Sequence, residues 1–159
     1  MPPPPSTWEP PPDLAAGPAP GFVFGGAGER LVAYIIDSLI VAVLAILIAI
    51  VGALLLALVP ILGVIVWVVG FLALILGYFP YYWVNGGQTL GMKPFDLWVV
   101  RDSDGGPIGW GAAILRLIGL LVVDSVIFGI PIGLVWIFVD SRKRCWHDLI
   151  AGTVVIKRR

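Results

Sequence analysis

The stretch LVAYIIDSLIVAVLAILIAIVGALLLALV, residues 31–59, decides the class of this chain, because its twenty-nine residues carry a single charge, Asp37. A helix needs about 20 apolar residues to cross a bilayer, so the run predicts a transmembrane helix with a turn or two to spare. The next stretch, ILGVIVWVVGFLALILGYFPYYWV at residues 61–84, has no charge at all and predicts a second. Pro60 breaks the first helix and Gly63 helps turn the chain. The link has no room for a domain, so an antiparallel hairpin is expected. Tyr78, Tyr81, Tyr82 and Trp83 end the second run as an aromatic belt suited to a membrane–water boundary.

Composition agrees over the whole length. Of 159 residues 59% are hydrophobic and only 13% charged, ten Lys/Arg against ten Asp/Glu. Soluble domains carry about 25% charged residues, so an ordinary soluble enzyme is excluded. Zero net charge offers no basic field for nucleic acid. The single cysteine, Cys145, forbids an internal disulfide.

Working outward, residues 1–28 stand apart. Nine of the fourteen prolines lie between Pro2 and Pro20, a pattern that stays extended and solvated. A disordered proline-rich tail is expected here, not a signal peptide. On the other side of the hairpin, residues 85–110 form a polar connector. Within it Phe95–Val100 is rich in strand formers and Asp102–Gly106 reads as a turn. The tail offers a matching run, Thr153–Ile156. The two are expected to pair as a small sheet at the membrane surface.

The third apolar stretch, residues 111–140, contains Arg116 and Asp124 and is interrupted by Gly129-Ile130-Pro131. It either crosses once or bends and re-enters. Arg142, Lys143, Arg144, Lys157, Arg158 and Arg159 place the tail in the cytoplasm. Strand pairing then puts the connector on the same side, which favours the re-entrant form and a cytoplasmic N-terminus. The expected fold is an all-α membrane protein: a helical hairpin, a third spanning or re-entrant segment, and a surface β-pair.

Ionisable side chains inside apolar runs cost about 2.5–3.5 kcal/mol each at the bilayer centre. The candidate functional residues are therefore Arg30, Asp37, Arg116, Asp124 and Asp140. Arg30 and Asp37 are seven apart and share a helix face, about 10 Å apart along the axis, too far for a direct pair. If the third stretch packs on the first, Arg116 can neutralise Asp37 or Asp140. The set is either an ion-pair network fixing helix register or a proton- or cation-coupled site, since a carboxylate in low dielectric holds its proton more tightly. His147-Asp148 alone is not a metal-ligand set. Neither Asp37 nor Asp124 has the GxGD setting of a paired-aspartate membrane protease, so no catalytic residues, no metal, no cofactor and no enzymatic activity are expected.

Several blocks resemble a known family. Arg30-Leu-Val-Ala33-Tyr-Ile-Ile-Asp37 resembles the opening motif of the RDD family of membrane proteins. Thr89-Leu90-Gly91-Met92-Lys93 is similar to its TPGK turn, with Leu90 in place of proline and one extra residue. Leu97–Val100, Asp104-Gly105-Gly106-Pro107 and Arg116 resemble its central stretch, and Asp140 to Val155 its closing D…KR…HDllAGTxVV block. The resemblance maps the namesake residues to Arg30, Asp37 and Asp140. It implies a multi-pass protein of a bacterial-type cell membrane, for which transport of an unidentified ligand is the usual suggestion. Two functions follow as expectations: transport, coupled to cations or protons through the intramembrane Asp and Arg residues, or a non-transporting membrane assembly or adaptor protein. The partners expected are the lipid bilayer and further copies or other membrane proteins. Three or four helices scarcely enclose a pathway, and Gly52, Gly63, Gly70 and Gly77 permit close helix packing.

Overall fold

The computed structural model describes residue 19, residues 21–123 and residues 136–158. Two helices dominate, α1 (Ala27–Leu58) and α2 (Pro60–Asn85), packed as the expected hairpin. The chain turns at Val59 because Pro60 has no N–H to continue α1, while its fixed φ suits the first position of α2. Both helices are long and apolar enough to cross a membrane. At 1.5 Å per residue they span about 48 and 39 Å, more than the roughly 30 Å of a hydrocarbon core. Leu39, Leu54 and Leu58, among many others, stand exposed on their outer faces. Soluble monomers rarely expose contiguous apolar faces of this kind.

The two helices meet through glycine. A Cβ at Gly52 would overlap the Trp67 ring, one at Gly63 the Leu56 backbone, and one at Gly70 would come 2.8 Å from Ile48 Cγ2. Three of the four glycines expected to favour close packing thus serve contacts inside the hairpin, and only Gly77 has open space beside it.

At the open end of the hairpin the remaining elements form a cap. Strand β1 (Phe22–Phe24) precedes α1, β2 (Leu97–Arg101) follows a 3-10 turn at Lys93–Phe95, and β3 (Thr153–Arg158) ends the described chain. The order is β1-β3-β2, antiparallel throughout, with Phe24 opposite Ile156, Val99 opposite Val155, and Arg101 opposite Thr153. The expected pair is therefore three-stranded. Its third member comes from residues 22–24, at the edge of the stretch read as a proline-rich tail. Residues 1–18 and Pro20 of that stretch lie outside the described residues.

Side chains alternate across the sheet with the period of two that strands impose. Leu97, Val99 and Val155 face Ala33, Trp83, Ala113 and Leu117 of the helices. Val100, Val154 and Ile156 face the other way, onto Phe22, Phe24 and Trp98. Connector and tail thus meet at one end of the hairpin, as expected.

The third apolar stretch begins as α3 (Trp110–Ile118), whose Ala113, Arg116 and Leu117 are buried, and continues as a π-helical turn over Gly119–Val123. A 3-10 turn follows at Trp136–Phe138. Asp124, the Gly129-Ile130-Pro131 break and the choice between crossing and re-entry lie outside the described residues. The short helix α4 (Trp146–Ala151) packs on α3, starts from a capping box between Cys145 and Asp148, and ends at Gly152 with φ 62°.

Glycine packing makes a direct prediction. Gly63→Ala should destabilise the hairpin by about 1–3 kcal/mol through overpacking. Gly77→Ala should leave it unchanged or stabilise it by up to about 1 kcal/mol from helix propensity. Unfolding of both variants in detergent micelles checks this.

Candidate functional site

Three groups of charged residues organise the cap. At the centre is Asp148, fully buried at the third position of α4. Its Oδ1 accepts from Arg116 of α3 and its Oδ2 from Arg30 of α1, with the backbone N–H of Cys145 adding a bond of 2.9 Å to Oδ2. Arg116 also donates to Thr153 Oγ1 at 2.6 Å, and Arg30 to the Lys143 carbonyl. Burial alone would raise the Asp148 pKa; the charges of Arg116 and then Arg30 more than reverse this and hold the carboxyl far below the usual range. Arg116 therefore neutralises neither Asp37 nor Asp140. Its face of α3 is turned to α4, and its partner is a carboxylate 32 residues on.

Asp37 forms the second group. Buried on the same face of α1 as Arg30, it accepts from Tyr78 Oη of α2 at 2.7 Å, Thr89 Oγ1 at 2.5 Å and the Gly91 N–H at 2.8 Å. All three donors are uncharged. Gly91 has to be glycine, because a Cβ there would overlap the Ala33 carbonyl and crowd the Asp37 carboxylate. The carboxylate thus ties α1 to α2 and to the connector turn.

The third group lies on the rim. Asp140 accepts the N–H groups of Arg142 and Arg144 at 3.1 and 3.0 Å and the Arg144 Nε at 3.1 Å. Asp102 binds Arg142 at 3.1 Å and Arg144 at 3.3 Å, and Lys157 binds Glu29 at 2.5 Å. Partial burial would raise the Asp140 pKa, but the Arg144 side-chain and backbone bonds lower it overall, and the same side-chain bond raises that of Arg144.

Between the first two groups lies a cavity of about 160 Å³. Arg30, Ala33, Tyr34 and Asp37 line it from α1, Phe79 and Trp83 from α2, Thr89 and Met92 from the connector, and Arg116, Leu120, Ile137, Phe138, Cys145 and His147 from the later elements. Arg30, Asp37 and Arg116, three of the five residues singled out in the sequence, meet around it. Asp140 belongs to the rim instead, and Asp124 lies outside the described residues.

The family-model comparison matches the RDD family over residues 24–152. The chain belongs to the RDD family. No curated protein and no solved structure matches it. Of the three residues to which the resemblance maps the family's namesake positions, Arg30 and Asp37 border the cavity and Asp140 braces the rim.

Sequence reading missed Asp148, Tyr78 and Thr89. In the sequence Asp148 stands out only beside His147 and within the closing block of the family resemblance. The ligand atoms of Cys145, His147 and Asp148 do lie within 4.8 Å of one another. Both carboxylate oxygens of Asp148 are already held by guanidinium groups, however, so a cation there would sit against two positive charges.

Removing the shared carboxylate with Asp148→Asn should cost about 3–5 kcal/mol, as for other broken buried ion pairs. Because the folded pKa is depressed, the stabilisation from Asp148 is complete above the ordinary carboxylate value of about 3.9 and is lost as pH falls below it. Unfolding free energy in micelles should be level from about pH 8 to 5 and decline below about pH 4, with a shallower decline in the Asn variant.

Proposed function

We propose that this RDD domain is a multi-pass protein of a bacterial-type cell membrane, with cap and tail on the cytoplasmic side, that takes part in moving a ligand across the bilayer. Proton or cation exchange at Asp37 couples the movement. The observation that carries this reading is the cavity at the charged end of the hairpin, where Asp37 and the two arginines border one space.

The roles divide by bonding. Arg30 and Arg116 are locked onto Asp148 and belong to the frame. Asp37 is held by two hydroxyls and one amide, and hydroxyl protons reorient at little cost when a carboxylate changes its protonation. Six basic residues of the tail support the cytoplasmic placement of the cap. Three or four helices of this size scarcely enclose a pathway, so the transporting unit contains several copies.

Reconstituted vesicles with an internal pH dye test the reading. Wild-type protein should show cation-dependent proton movement, and Asp37→Asn should abolish it while the chain still inserts. Unchanged flux in the Asn variant would remove the proposal.

A further inference from the structure

Helix α3 has no polar face to offer water. From Trp110 to Ile118 its one charged residue is Arg116, which is turned inward onto Asp148 and Thr153. Ala113 and Leu117 are buried with it, while Trp110, Ile114, Leu115 and Ile118 on the opposite side are 44–51% exposed. A surface helix in water turns charged or polar residues outward; α3 turns none. Helix α4 repeats the pattern, with His147 and Asp148 buried and Leu149 and Ile150 41 and 47% exposed. The two helices pack closely, since a Cβ at Gly119, where α3 ends, would come 2.9 Å from the His147 Cα.

The bonds to Asp148 fix the level of these helices against the hairpin. Arg30 directly precedes the apolar run that starts at Leu31. It binds Asp148, which directly precedes Leu149 and Ile150, and Arg116 from the middle of α3 binds the same carboxylate. Both helices therefore lie level with the end of the apolar part of α1, where hydrocarbon gives way to headgroups. Helix α2 gives the same level, because the Arg116 guanidinium carbon is 4.8 Å from the centre of the Trp83 ring, in the aromatic belt. Indoles also mark the start of each helix: Trp110 on α3, and Trp146 on α4 with Trp136 6.2 Å away. Tryptophan favours that boundary.

We infer that α3 and α4 form an in-plane membrane-binding face, with Ile114, Ile118, Leu149 and Ile150 sunk into the headgroup–acyl boundary of the leaflet that carries the cap. Such helices bury their apolar side about 5–10 Å deep. The inference rests on the membrane placement of the hairpin in the proposed function, and adds to it a helix from the basic tail. Continuity with the lipid-facing hairpin favours lipid as the cover over a second copy of the chain.

Nitroxide labels on single cysteines test this in the full chain, reconstituted in phosphatidylcholine–phosphatidylglycerol vesicles. Cys145→Ser supplies the background, since serine keeps a capping side chain. The labelled variants are Ile118→Cys and Ile150→Cys, with Leu39→Cys on the hairpin and Ser103→Cys in the turn as references; all four positions are exposed. Oxygen concentrates in hydrocarbon, whereas a nickel chelate stays in water. Collisions with oxygen should exceed those with nickel severalfold at 118 and 150, as at 39, and the order should reverse at 103. Nickel-dominated collisions at 118 and 150 with oxygen-dominated ones at 39 would overturn the inference and leave the membrane placement of the hairpin standing. Nickel-dominated collisions at 39 as well would overturn both. Weak collisions with both reagents at 118 and 150 would show protein covering the face, and would also overturn the inference; dipolar broadening between labelled copies would then identify the cover as a second chain. No flux is read, so the outcome at Asp37 and the outcome here are independent.

Discussion

The Asp148 carboxylate, fully buried and held by two arginines, is the constraint around which the charged end of this domain is organised. Each ion removed from water carries a penalty of several kcal/mol that only close, well-bonded partners offset. The partners come from three helices: Arg30 from α1, Arg116 from α3, and Asp148 itself from α4. Shifting any one of these helices along its axis would strand a charge in an apolar surround. The pair of bonds therefore fixes where the third stretch and the tail meet the hairpin. It also positions β3, which begins at Thr153, itself an acceptor for Arg116.

Asp37 does comparable work two turns further along α1 with uncharged donors. It joins α1 to Tyr78 near the end of α2 and to the turn at Thr89 and Gly91. The two carboxylates act as separate fasteners with a space between them. Below that space the hairpin is apolar and packed through glycine; above it the sheet is covered on both faces, and a rim of ion pairs through Asp102, Arg142, Arg144 and Asp140 closes the outer edge. The cavity thus sits where lipid-compatible surface gives way to a protein-like core.

The hairpin was legible because long uncharged runs have one physical solution in a bilayer, and Pro60 marks where the backbone must break. Strands β2 and β3 were legible from their β-branched residues. Strand β1 was not, because Phe-Val-Phe is too short to stand out beside a proline-rich segment and is a strand only because β3 offers it an edge. Arg30, Asp37 and Arg116 stood out as charges in apolar sequence. Asp148 did not, since its neighbours along the chain are polar, and nothing in local spacing links it to Arg116 or to Arg30. Tyr78 and Thr89 read as belt and turn residues because their role depends on which carboxylate the fold brings to them. Composition and period report surroundings along the chain, whereas hydrogen-bond partners are set by the fold.

The order of strands in the cap bears on how the molecule is assembled. Strand β3, last of the described elements in sequence, occupies the centre of the sheet, between β1 from before the first helix and β2 from the connector. Neither outer strand pairs with the other, so the inward edge of each stays open until β3 arrives. The two long helices can form locally as they emerge, but the cap waits for residues 153–158. A chain stalled before Thr153 would hold Arg30 and Arg116 beside an unfinished sheet, with two edges free to recruit a neighbour. Placing this late strand in the middle makes its arrival the step that joins the three strands into one sheet.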